Sequence, residues 1–156
     1  MFKLLCVTNR HLCRGDVLKR VEALAAAGAW GILLREKDLS PEDYRTLARQ
    51  VQEICQEYGA RCILHNFASV ALELQAEAFH APLAVLRQIG EAERRAFPTL
   101  GASCHSVEDA REAQALGCTY LTAGHIFDTD SKKGLPGRGL DFLRAVCTCV
   151  DIPAYA

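Results

Sequence analysis

His125 directly follows Gly124, where the apolar run Tyr120-Leu121-Thr122-Ala123 gives way to a loop of glycine, proline and cations that closes at Gly139. Histidine gives and takes a proton near neutral pH, and loops at strand exits are where binding groups concentrate. The loop carries Thr129, Ser131, Lys132, Lys133 and Arg138. A histidine beside such a loop suits a site that holds an anionic ligand next to a proton-transfer group. A solvated loop histidine would give the same local pattern, so the reading depends on what else converges there.

Other polar residues stand at the ends of apolar runs: Thr8, Arg35 with Lys37, Asn66, His80, and Ser103 with His105. Arg35 and Lys37 are two apart on a strand end and so point the same way. They are candidate anion ligands, or else ion-pair partners of Glu36 and Asp38. Asn66 and Ser103 are candidate ligand contacts that could instead satisfy local backbone groups. Thr129, Ser131 and Lys132 are read as phosphate or carboxylate contacts, with a solvated loop as the alternative. His105 is read as structural, and His11, His65 and His80 are given no role.

The elements that must position these residues follow from the pattern of apolar runs and stops. Apolar runs at 3–8, 30–34, 61–64, 76–80, 99–102, 120–123 and 152–156 predict strands. Between them, helices are predicted from Asp16, from Ser40-Pro41, over Ala68–Leu74, over Leu83–Phe97, from Ser106, and over Leu140–Val150. Gly28, Gly59 and Gly117 each stand just past a helix, with a strand beginning about two residues on. Strand–helix alternation implies parallel strands with helices outside, and continuous apolar runs imply strands buried on both faces. Thr8-Asn9-Arg10-His11 is not a dinucleotide fingerprint. An α/β fold of the TIM-type (β/α) barrel is therefore expected over a doubly wound sheet, with the active residues at the C-terminal strand ends.

Composition narrows the function classes. The chain has 156 residues, half of them hydrophobic, and a formal net charge of -1. That size suits one domain, 1–156, and that charge excludes a nucleic-acid binder working by bulk positive charge. The apolar start breaks at Thr8-Asn9-Arg10, and no run reaches the roughly 20 apolar residues of a membrane span. A cytoplasmic protein with no membrane or nucleic-acid partner is expected. The 8 cysteines include no C-x-x-C pair, so reduced structural thiols are expected, with no metal and no cofactor.

Val7-Thr8, Leu34-Arg35-Glu36-Lys37-Asp38-Leu39, Leu64-His65-Asn66, Gly101-Ala102-Ser103-Cys104-His105-Ser106 and Gly124-His125-Ile126-Phe127-x-Thr129-x-Ser131-Lys132 stand in this order along almost the whole chain. In these segments the sequence resembles the thiamine phosphate synthase/TenI superfamily. The resemblance implies a barrel fold, phosphate chemistry and thiamine biosynthesis. In the synthase branch, carboxylates after the third and fourth strands hold the magnesium that neutralises pyrophosphate. The matching positions here are Asn66-Phe67 and His80-Ala81-Pro82-Leu83, without a carboxylate for a hard cation. Gly124-His125 and the following loop look like the TenI branch, the thiazole tautomerases. That implies an isomerase acting on a thiazole phosphate, with His125 as acid and base. Arg35, Lys37, Asn66, Ser103, Gly124, Thr129, Ser131 and Lys132 would then bind the substrate. Thiamine phosphate synthase, joining a pyrimidine pyrophosphate to the thiazole phosphate, is the alternative, as is an impaired protein that only binds a thiamine precursor.

In the family, the seventh strand runs on into Gly-Gly-Ile, and an eighth strand ends in a second glycine loop. Those two loops bind phosphate through backbone N–H groups. The sequence here reaches Ala156, so a barrel incomplete at its C-terminus is expected, lacking its last strand and helices. Unpaired edges at such a gap favour pairing with another chain, and a homo-oligomer is expected.

Overall fold

The computed structural model describes residues 3–156, except that the side chain of Ser131 lies outside the described residues. The chain forms two compact units, one up to His80 and one from Ala81. In the first, strands β1 (Leu5–Val7), β2 (Gly31–Leu34), β3 (Arg61–His65) and the first three residues of β4 (Ala78–Pro82) lie in that order, and each neighbouring pair is parallel. The register aligns Leu5 with Gly31 and Gly31 with Arg61. Helices α1 (Val17–Ala26), α2 (Pro41–Tyr58) and α3 (Ala68–Glu73) connect them.

The helix starts follow their caps. The Asp16 carboxylate accepts from the Leu18 N–H at 2.8 Å, and Ser40 Oγ accepts from the Asp43 N–H at 3.1 Å. Each satisfies a donor the first helical turn leaves unpaired. α2 buries Tyr44, Ala48, Val51 and Cys55, a stripe at helical spacing. It stops at Gly59, whose φ of 66° costs little only for a residue without Cβ. All four residues of β2 are buried, as a strand covered on both faces requires.

In the second unit, helices α4 (Leu83–Leu86) and α5 (Glu91–Arg95) lead to β5 (Thr99–Cys104). Then come α6 (Val107–Ala115), β6 (Tyr120–Ala123), α7 (Gly139–Cys149) and β7 (Ala154–Tyr155). The order is β5-β6-β7, again parallel. The single helix expected over Leu83–Phe97 is two short ones. Gly90 takes an extended conformation and its N–H donates to the Glu93 carboxylate at 2.9 Å, so a new helix starts there. Ser106 caps α6 as expected, with Oγ accepting from the Asp109 N–H at 2.9 Å.

Parallel strands taken in chain order, with helices between them, are the α/β pattern of a TIM-type (β/α) barrel. This is the fold class expected from the sequence. All 8 cysteines are free thiols, and burial pushes Cys104 and Cys118 up to about 12. Such thiols pack as small apolar groups. Among the described residues, no helix is long and apolar enough to cross a membrane.

Candidate functional site

In the first unit, the strand ends carry a frame built on Glu36. Its carboxylate is 2% exposed, yet it is the best-satisfied group in the region. It accepts from Thr8 Oγ1 at 2.7 Å, from the Arg10 N–H at 3.0 and 3.2 Å, and from the Arg10 guanidinium at 3.1 Å. Thr8 Oγ1 in turn accepts from the Arg35 N–H at 3.0 Å, tying the exits of β1 and β2. Arg10 also grips Asp38 at 2.6 and 2.5 Å, and His11 Nε2 meets the same carboxylate at 2.8 Å. Those bonds, Arg10 first, hold the Asp38 carboxyl well below the usual carboxylate range.

The acidic partners expected for Arg35 and Lys37 are therefore taken up by Arg10 and His11. Arg35 and Lys37 themselves are exposed. Neither Arg10 nor His11 stands out in the sequence as a functional residue. Arg10 lies 26 residues from Glu36 and 28 from Asp38, and no local pattern reports a pair so far apart.

At the end of β3, Asn66 has φ 68°, a left-handed conformation that asparagine tolerates better than other residues with a side chain. Its N–H donates to the His80 carbonyl at 3.1 Å. A backbone requirement thus accounts for the residue type, and ligand contact is an additional reading. His65 and His80 are 3% and 1% exposed, with rings stacked at 6.0 Å. Burial, with His80, Lys37 and Arg35 as smaller causes, lowers His65 to about 3, and burial lowers His80 to about 4.

Both histidines are neutral when folded and take up protons near 6.5 when unfolded. The unfolded state binds more protons below that pH, so stability is fully present above 6.5 and is lost as pH falls from 6.5 toward 4. The melting temperature is expected to drop by several degrees from about pH 7.5 to about pH 5. His80→Gln should flatten that dependence in a calorimetric pH series.

The positions where the resemblance would put magnesium carboxylates hold apolar groups. The Phe67 ring packs on Tyr44 at 4.4 Å, and Leu83 is 6% exposed. Among the described residues, no group of three or more His, Cys, Asp or Glu is arranged to hold a metal ion. The donor set does not fit a hard divalent cation.

In the second unit, β5 delivers Ser103 and His105, and β6 delivers Gly124 and His125. Ser103 is half-buried, and His105 is exposed with Nδ1 at 3.0 Å from the Gly124 carbonyl. The His105 N–H donates to the Asp109 carboxylate at 2.7 Å, so His105 braces the exit of β6 from the start of α6. The Gly124–His125 peptide is cis.

After His125 the chain folds back on itself rather than spreading as an open basic loop. The His125 carbonyl accepts from the Arg138 N–H at 2.9 Å, and the Ile126 carbonyl from the Gly139 N–H at 2.9 Å. Asp128 accepts from the Gly137 N–H at 2.6 Å. The acidic Asp128 thus has a structural task in a loop read as cationic. Lys132 and Thr129 are exposed, and a turn of 3-10 helix spans Asp130–Lys132. A cavity of about 510 Å³ opens beside this segment, lined by residues that include Thr129, Lys132, Lys133 and Leu135. Ser131, also read as a ligand contact, has its side chain outside the described residues.

His125 is half-buried, and its Nε2 lies 3.0 Å from the Leu135 carbonyl. A carbonyl only accepts, so in the neutral ring Nε2 carries the hydrogen and Nδ1 carries the lone pair. The fold-back therefore fixes both the ring orientation and the basic nitrogen. It depends on Gly137, where an added Cβ would stand 2.6 Å from the Ile126 carbonyl oxygen and 2.8 Å from the Phe127 carbonyl carbon. Gly137→Ala should force these strands of the loop apart at a cost of about 1–3 kcal/mol. Urea denaturation checks this, and an unchanged midpoint would show that the loop yields without cost.

The chain matches the family model described as thiamine monophosphate synthase over residues 4–156. The chain belongs to this family. A thiamine-phosphate synthase of Clostridium tetani is 31% identical over 156 residues, covering 96% of this chain and 73% of that protein. A putative thiamine-phosphate synthase of Geobacter sulfurreducens is 34% identical over 163 residues, covering 99% and 74%. Among solved structures, the thiamine phosphate pyrophosphorylase of Pyrococcus furiosus superposes with a TM-score of 0.81 at 28% identity, covering 97% of this chain and 72% of that one. The superfamily named from the sequence is thus the right one, and these relatives carry the synthase name rather than the tautomerase name.

Proposed function

We propose that the chain acts on a thiazole phosphate in thiamine biosynthesis and that it tautomerises a carboxythiazole phosphate to its aromatic isomer. The observation that supports this most is the His125 ring, oriented by Leu135 so that Nδ1 is the basic nitrogen. In the proposed reaction, Nδ1 takes the proton from ring C2 of the exocyclic-alkylidene isomer. The imidazolium then gives a proton to the exocyclic carbon, and the ring becomes aromatic. Atoms and charge balance within the substrate, and one imidazole that can both take and give a proton serves both steps. Arg35, Lys37 and Asn66 in the first unit, and Ser103, Gly124, Thr129, Ser131 and Lys132 in the second, are the proposed substrate-binding residues.

A second reading is thiamine phosphate synthesis, and the names of the relatives favour it. Phe67 and Leu83 weigh against its metal site, because neither side chain offers an oxygen to a hard cation. The two readings separate in one assay. The chain is given the exocyclic isomer in one vessel, and the thiazole phosphate with pyrimidine pyrophosphate and magnesium in another. Aromatic product in the first vessel without added metal supports tautomerisation. Thiamine phosphate in the second, rising with magnesium, would transfer the chain to the synthase reading. No turnover in either vessel would leave a precursor-binding role.

A further inference from the structure

Among the described residues, Nδ1 of His65 is a buried side-chain nitrogen with no hydrogen-bond partner. Leaving such an atom unpaired costs about 1–3 kcal/mol, and buried polar atoms of this kind are normally satisfied by a ligand or a water. The ring cannot easily swing to solvent. The His65 N–H donates to the Tyr44 hydroxyl at 2.7 Å, and that hydroxyl donates to the Leu34 carbonyl at 2.8 Å. Tyr44 is itself fully buried, so the backbone of His65 is pinned at the end of β3. On its other side the His80 ring stacks against it at an interplanar angle of 19°.

The register sets Leu34 beside Leu64, so the chain leaves β2 into Arg35 and Lys37 next to His65 at the end of β3, and their charges act on its ring. Two cations draw an anionic group, and an anionic oxygen only accepts hydrogen bonds. For the orphaned nitrogen to meet such a group, it must carry the hydrogen.

We propose that His65 is a ligand-binding residue whose Nδ1–H donates to an anionic oxygen, phosphate or carboxylate, of the small-molecule ligand that Arg35 and Lys37 attract. This rests on the reading of Arg35 and Lys37 as anion ligands, but not on which reaction follows.

The full chain, labelled with ¹⁵N, is studied by ring-nitrogen NMR while inorganic phosphate or acetate is added. His65 is expected in the Nδ1–H tautomer, with its Nδ1 signal moving along the same saturation curve that calorimetry gives. Movement with phosphate or with acetate identifies which anion the subsite takes. His65→Phe is expected to weaken that anion roughly tenfold. Should this variant fail to fold, the tautomer and titration of the unsubstituted chain decide the matter. An Nε2–H tautomer, a His65 signal unmoved at saturating anion, or no measurable binding of either anion would overturn the proposal and leave a histidine satisfied by water. Failure of the tautomerase assay alone, with His65 responding, would strike only the proposed reaction.

Discussion

His125→Asn is expected to fold as the parent chain does and to tautomerise carboxythiazole phosphate roughly 10²–10⁴-fold more slowly, the usual worth of a general acid and base. The substitution keeps the backbone contacts that close the loop, since the carbonyl of residue 125 still accepts from the Arg138 N–H. It removes only the ring that can exchange a proton. An asparagine amide reaches only as far as Nδ1, so His125→Gln, whose longer amide can still donate to the Leu135 carbonyl, is the control for loop shape and should lose the rate as well. Melting curves should superimpose while single-turnover rates diverge. Equal rates would take His125 out of the chemistry.

The second large effect lies in the first unit. Glu36→Ala is expected to destabilise the chain by about 2–4 kcal/mol, somewhat below the cost of breaking a fully buried pair because Arg10 is 27% exposed. The removed carboxylate leaves the Thr8 hydroxyl and the Arg10 N–H without their acceptor. Thr8 in turn positions the Arg35 backbone, so the variant should also weaken anion binding by Arg35 and Lys37. Glu36→Gln, which keeps one oxygen acceptor, should fall between the two. Urea unfolding measures the first effect and phosphate calorimetry the second. A loss under about 0.5 kcal/mol, the usual size for a surface change, would show that the frame does not hold the strand ends.

The fold was legible because each element carries its own local signal. Asp16, Ser40 and Ser106 cap helices where the sequence puts them, and Gly59 ends α2 in the conformation its residue type allows. The exception at Gly90 has the same origin: one residue without a side chain let an apparent helix restart. The strand-end position of Arg35, Lys37, Asn66, Ser103 and His125 was legible too, since it follows from where the apolar runs stop. The frame around them was not. Arg10 with Glu36, and Tyr44 with the Leu34 carbonyl and the His65 N–H, join residues 10 to 26 positions apart. Such pairings are set by the register of β2 and β3 and leave no periodic trace. The fold-back that orients His125 was hidden for another reason. It needs an acidic residue, Asp128, inside a loop whose composition reads as a cationic ligand cradle.

The measurement closest to the central claim is the conversion of the exocyclic isomer in D₂O, followed by proton NMR with and without the chain and with no metal added. Catalysis by a proton-shuttling His125 predicts rapid loss of the exocyclic signal, a rate proportional to the chain's concentration, and some of the original C2 hydrogen on the former exocyclic carbon, because Nδ1 can return the hydrogen it took. Conversion no faster than in buffer alone, from a chain that makes thiamine phosphate when given magnesium and the pyrimidine pyrophosphate, would contradict the account.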